Sequence, residues 1–121
     1  MTQTFLLPFP PTANHMWKHA SRKGAGQHYL SAKYRAWKDA AGKQLLVQRA
    51  KSIKGPVRVL IGLCSPTNHA WDLDNRIKPV LDLLVSHLVI EEDNTSIVRG
   101  IDITASDQIG ARVTVIPLEA V

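Results

Sequence analysis

Between Pro56 and Pro117 the apolar pattern runs first at a period of two residues, then near 3.6, then at two again, and this limits the fold of the chain more than any other feature. In "GPVRVLIGLCSP", Val57, Val59, Ile61 and Leu63 alternate, which puts them on one face of a strand. "DNRIKPVLDLLVSHLVI" then sets Ile77, Val80, Leu81, Leu84 and Leu88 on one helical face, with Pro79 tolerated only in the first turn. After the polar turn "EEDNTS", alternation returns in "IVRGIDIT" and "ARVTVIPL", two strands joined by "ASDQIG". A strand and a helix that each bury one face must pack on one another, so this half predicts helix laid on sheet.

The first half supplies the other pieces. "TFLLPFPP" starts as a strand and is stopped by prolines, which lack the N–H that a sheet ladder needs. "TANHMWKHASRKGAGQHYL" sustains no period and reads as a long loop. Ser31 is an N-cap candidate for a helix running to about Ser52, with Tyr34, Trp37, Ala41 and Leu45 as its apolar stripe. The expected order is β-loop-α-β-α-β-β: an α+β, two-layer fold with a mixed β-sheet and two helices, in a single domain over residues 1–121.

Composition excludes several classes. An apolar fraction of 45% with 21% charged residues belongs to a folded chain, not a disordered one. Cys64 is the single cysteine, which rules out an internal disulfide or a Cys-rich zinc site and fits a reducing compartment. No apolar run reaches membrane-spanning length and no secretory leader is visible, so a cytoplasmic location is expected. Charge is polarised: residues 1–58 carry eleven Lys and Arg against one acid, Asp39, a net +10, whereas residues 59–121 carry four against nine, a net −5. A basic half suits a polyanion, because neutralised phosphates release counterions, although a solvated basic face without a partner has the same composition.

Acid gathers at "AWDLDNRIKP". Asp72 and Asp74 are expected where a strand ends and a helix begins; at i and i+2 of an extended segment they would share a face roughly 7 Å apart, suited to divalent cations. The plainer reading is a helix cap. An EF-hand loop fails, since Ile77 stands where glycine is needed and Leu83 where glutamate is needed. Glu91, Glu92 and Asp93 form a second group after the helix. If the groups meet, three or four hard oxygen ligands would favour Mg²⁺ or Mn²⁺, and such a site supports phosphodiester hydrolysis, with Lys78 steadying the charge. Other chemistries are poorly supplied: "RKGAGQ" is no phosphate loop, there is no GxSxG elbow, and His15 and His19 lack the Cys or acid ligands of a zinc site. Trp17 and Trp71 flank the basic loop and the aspartates, where packing competes with stacking on an unpaired base.

"LPFPPTAN", the basic loop with "YLSAKYRAWKDA", "DLDNRIKPVLDLL" and "VIEEDNTSIV" together resemble the RusA family of Holliday junction resolvases, small phage and prophage endonucleases, over nearly the whole chain. The resemblance implies a homodimeric, Mg²⁺-dependent endodeoxyribonuclease that resolves four-way DNA junctions by paired symmetric nicks in recombination and repair, without a small-molecule cofactor. Carried over residue by residue, the family's aspartate pair falls on Asp72 and Asp74 and its helix lysine on Lys78. Its later acidic pair falls on Glu92 and Asp93 in an ungapped match, or on Asp93 and Asn94 when the match is anchored on "IVRG"; Asp93 is common to both. The expected catalytic set is Asp72, Asp74, Asp93 and Lys78, the metal ligands Asp72, Asp74, Asp93 and Glu92, and the DNA contacts Asn14, Lys18, Arg22, Lys23, Lys33 and Arg76. A module that binds junctions without cutting them is the alternative, supported by Glu at position 92.

Overall fold

The computed structural model describes residues 1–13, 17–19 and 28–118, with 17–19 and 28–30 described as backbone. Val57, Val59, Ile61 and Leu63 form the inner face of β4 (Val57–Cys64), each at most 1% exposed. This strand is central in a four-stranded sheet completed by β1 (Gln3–Leu7), β5 (Val98–Ala105) and β6 (Gly110–Pro117), in the order β1-β6-β4-β5. β4 runs parallel to β5 and antiparallel to β6, and β1 is antiparallel to β6, so the sheet is mixed, as expected. The parallel pair is joined through α2 (Ile77–Ser86), because parallel neighbours need a crossover.

Both helices contribute to a single core with the inner sheet face. α1 (Ala32–Val47) begins at Ser31, whose Oγ accepts from the Tyr34 N–H at 3.1 Å, a cap worth about 1 kcal/mol. Its expected stripe, Tyr34, Trp37, Ala41 and Leu45, is buried. α2 contributes Val80, Leu81, Leu83 and Leu84. The opposite face of the sheet is polar, with Arg58 and Asp102 paired across β4 and β5 at 2.9 Å.

Several local expectations need correction. The long loop contains two short strands, β2 (Trp17–His19) and β3 (His28–Leu30), which pair antiparallel; three-residue strands are too short to register as a period. α1 ends at Val47 rather than near Ser52, and α2 ends at Ser86, so Leu88 is not on its buried face but 69% exposed. Both ends follow one pattern. Arg49 (φ 58) and Leu88 (φ 59) take the left-handed conformation one residue beyond the cap, and the next residue bonds back to the helix: Ala50 N–H to the Leu45 carbonyl, Val89 N–H to the Leu84 carbonyl. That position normally carries glycine, and neither arginine nor leucine advertises it.

The edge of β1 is held by glutamines. Gln48 accepts from the Leu6 N–H at 2.8 Å and donates to the Leu6 carbonyl at 2.7 Å, while Gln3 makes the same reciprocal pair with the backbone of Lys51. The Gln48 side chain gives Leu6 the partners that a missing neighbour strand would otherwise provide, and the Gln3 pair ties β1 to the segment after α1.

Candidate active site before the second helix

Asp72 and Asp74 do not leave directly from a strand. β4 ends at Cys64, residues 65–73 form a loop, and Asp74–Arg76 make one turn of 3-10 helix leading into α2. Leu73 between the aspartates has φ −62 and ψ −44, so the extended i, i+2 geometry does not hold. Both carboxylates are exposed. Neither caps α2, whose N-cap residue is Arg76 and has no side-chain cap bond. Lys78, in the first turn of α2, lies 3.6 Å from Asp82 one turn further on.

The loop is anchored to the segment leaving β1. Arg76 donates through Nη1 to the Pro10 carbonyl and lays its guanidinium over the Phe9 ring, 4.6 Å from its centroid. Trp71 packs edge-on against the same ring at 5.1 Å and 79°, a half-buried packing role. The Arg76 Nε is buried and makes no hydrogen bond. Burial pushes the guanidinium pKa below its ordinary value, yet arginine remains a cation at neutral pH.

The two acidic groups stand at opposite ends of the sheet. The Arg76 bond to Pro10, just past β1, fixes the first group beside the end where β1 and β4 finish. Glu91 accepts from the Gly55 N–H and the Val89 carbonyl accepts from Ile53 N–H, which fixes the second group beside the start of β4. The ten residues of α2 between them extend about 15 Å at 1.5 Å each. Within one chain, therefore, Glu92 and Asp93 do not join Asp72 and Asp74, and among the described residues no three His, Cys, Asp or Glu side chains gather to hold a metal. A parallel β-α-β unit imposes this, because the crossover returns the chain to the starting end of the first strand. Asn94 instead accepts from the Ser96 N–H and hydroxyl, a turn-forming role.

Two exposed carboxylates are still a donor set that Mg²⁺ accepts, since this ion commonly takes one or two carboxylates and fills its octahedron with water and substrate phosphate oxygens. Asp72 and Asp74 fit that requirement; among the described residues of the single chain a closed protein cage does not form.

Of the expected DNA contacts, Asn14, Arg22 and Lys23 lie outside the described residues, and Lys18 is placed only as backbone in β2. Lys33 and Arg76 come together, lining one cavity of about 340 Å³ with Phe9, Trp37, Ser65 and Thr67. Sequence reasoning missed Phe9, Ser65 and Thr67. The only trace was the proline run after β1, which marked a strand end without showing what it would pack against.

Comparison with known proteins agrees with the expected family. The model of the endodeoxyribonuclease RusA family matches residues 8–116. The crossover junction endodeoxyribonuclease RusA of Enterobacteria phage HK97 is 28% identical over 116 residues, covering 91% of this chain and 92% of that protein. With the family model spanning both helices and, apart from Pro117, every strand of the sheet except β1, the chain belongs to the RusA endodeoxyribonuclease family.

Proposed function

We propose that the chain is a Mg²⁺-dependent endonuclease that resolves four-way DNA junctions, acting as a homodimer that makes two symmetric nicks. The observation that carries the reading is the juxtaposition in one short loop of two exposed carboxylates with Arg76, a half-buried cation that has no carboxylate partner among the described residues. Acid and base so arranged suit a phosphate that is bound and then attacked. Membership of the RusA family supports DNA as the substrate and hydrolysis as the reaction.

In this reading Asp72 and Asp74 would hold the ion, which when bound would lower the pKa of a water and neutralise charge on the phosphodiester. Lys78 sits in the first turn of α2, where a shift away from Asp82 brings a positive charge to the phosphate. Arg76 and Lys33 together grip a backbone phosphate, and Asn14, Lys18, Arg22 and Lys23 extend the contact along the basic half. Asp93, with Glu92 beside it, is too far from Asp72 and Asp74 within one chain, so we assign these acids to the site of the other subunit. A two-fold enzyme on a two-fold junction then has two sites, each built by both chains. No helix among the described residues is long and apolar enough to cross a membrane, consistent with action on DNA in the cytoplasm.

The test is a synthetic four-way junction beside a linear duplex, with Mg²⁺ or EDTA, for wild type and Asp74→Asn. Junction cleavage by wild type in Mg²⁺ alone is expected. Cleavage persisting in EDTA or in the variant would remove the metal mechanism, and tight junction binding without cleavage by wild type would favour a binding module.

A further inference from the structure

The cavity beside the aspartate loop has a composition that the phosphate-gripping role of Arg76 and Lys33 leaves partly unused. Its cationic end holds Lys33, from the first turn of α1, and Arg76. Phe9 and Trp37 give it an aromatic wall, and Ser65 and Thr67, whose hydroxyls lie 3.1 Å apart, give it a polar rim. No carboxylate lines it among the described residues. The guanidinium of Arg76 is fixed by the Pro10 carbonyl and the Phe9 ring, while its buried Nε has no acceptor. With Lys33 beside it and no carboxylate paired to it among the described residues, this partly buried cation keeps its charge uncompensated until an anion arrives, so the free protein holds a preformed place for one. An anion alone would need neither the aromatic wall nor a volume of about 340 Å³, which is within the range of small-ligand pockets and far too narrow for a duplex.

We propose that this cavity takes a single unstacked deoxynucleotide of the junction, its phosphate on Arg76 and Lys33 and its base against the partly exposed Phe9 ring, with the buried Trp37 as the floor behind it, and so selects DNA in which one base leaves the stack cheaply. The inference rests on the proposed junction-cleaving function. It adds a source of structure selectivity: at a branch point stacking is interrupted, so a nucleotide is drawn out at less cost than from continuous duplex. The Ser65 and Thr67 hydroxyls, able both to donate and to accept, meet the edge of whichever base enters.

The experiment measures binding in EDTA to four-way junctions carrying one abasic site, moved in turn through the nucleotides around the crossover. Base stacking on aromatic side chains predicts a loss on the order of ten-fold at one position, with smaller losses elsewhere. Phe9→Leu should bind the intact junction more weakly and no longer distinguish that position. Thr67→Gln, at the exposed rim, should give the same loss of distinction without touching the core. An affinity that changes less than two-fold for every abasic position, or a position effect that survives in a folded Thr67→Gln, overturns the pocket while leaving junction resolution standing. Equal affinity of wild type for junction and duplex overturns both.

Discussion

The assignment of Asp93 to the other subunit's site has a numerical consequence. Asp72 and Asp74 precede α2, Glu92 and Asp93 follow it, and the helix and the neighbouring β4 separate them by about 15 Å or more. No side chain bridges that gap within one chain. Take Asp74→Asn and Asp93→Asn, each expected to be inactive alone, and refold them together in equal amounts. Random pairing makes about half of the dimers mixed, and each mixed dimer has one site with both lesions and one with neither. Nicking should therefore return to about a quarter of the wild-type number of sites, as single nicks rather than paired cuts. A gel that separates nicked from fully resolved junctions measures both quantities. If the mixture is as inactive as its parents, the acids do not act across subunits. If Asp93→Asn alone cuts like wild type, Asp93 is not a ligand at all.

Other predictions concern the scaffold. Leu88 adopts φ 59 at a helix end while 69% exposed, so Leu88→Gly should relieve the left-handed conformation at little packing cost and stabilise by about 1 kcal/mol, read as a higher urea midpoint; an unchanged or lower midpoint would contradict this. Gly110 has φ 107, and a Cβ there would lie 2.7 Å from the Leu7 carbonyl oxygen, so Gly110→Ala should destabilise by about 2 kcal/mol or more, and a neutral substitution would mean that the β1–β6 junction yields easily. The Tyr34 phenol is pushed up from 10.0 to about 12, first by burial and then by the charge of Asp82. Because the folded chain holds that proton more tightly than the unfolded one, the contribution is whole below about pH 10 and is lost as pH rises toward 12. Tyr34→Phe should lose less stability than wild type over that interval; parallel curves would refute the assignment. Arg22→Ala with Lys23→Ala should weaken junction binding and flatten its salt dependence, and an unaltered slope would take that segment out of the interface.

Local patterning made much of the architecture legible. The alternation of Val57, Val59, Ile61 and Leu63 and the helical spacing of Tyr34, Trp37, Ala41 and Leu45 are consequences of burying one face, and a periodic signal survives without knowledge of neighbours. The Ser31 cap was legible for the same reason, being a bond between residues three apart. Helix ends were less so, because Arg49 and Leu88 occupy positions where glycine would have been the signal.

The sequence by itself determined the α+β class, the mixed sheet with its helices, the polarised charge and the chemistry of the residues around Asp72 and Asp74, all of which depend on composition or on neighbours along the chain. Only the tertiary structure decided the strand order β1-β6-β4-β5, the parting of the two acidic groups, and the meeting of Lys33, Phe9, Ser65 and Arg76 in one cavity. These depend on the direction in which α2 carries the chain back along the sheet and on the docking of the segment after β1, long-range choices that no local period encodes.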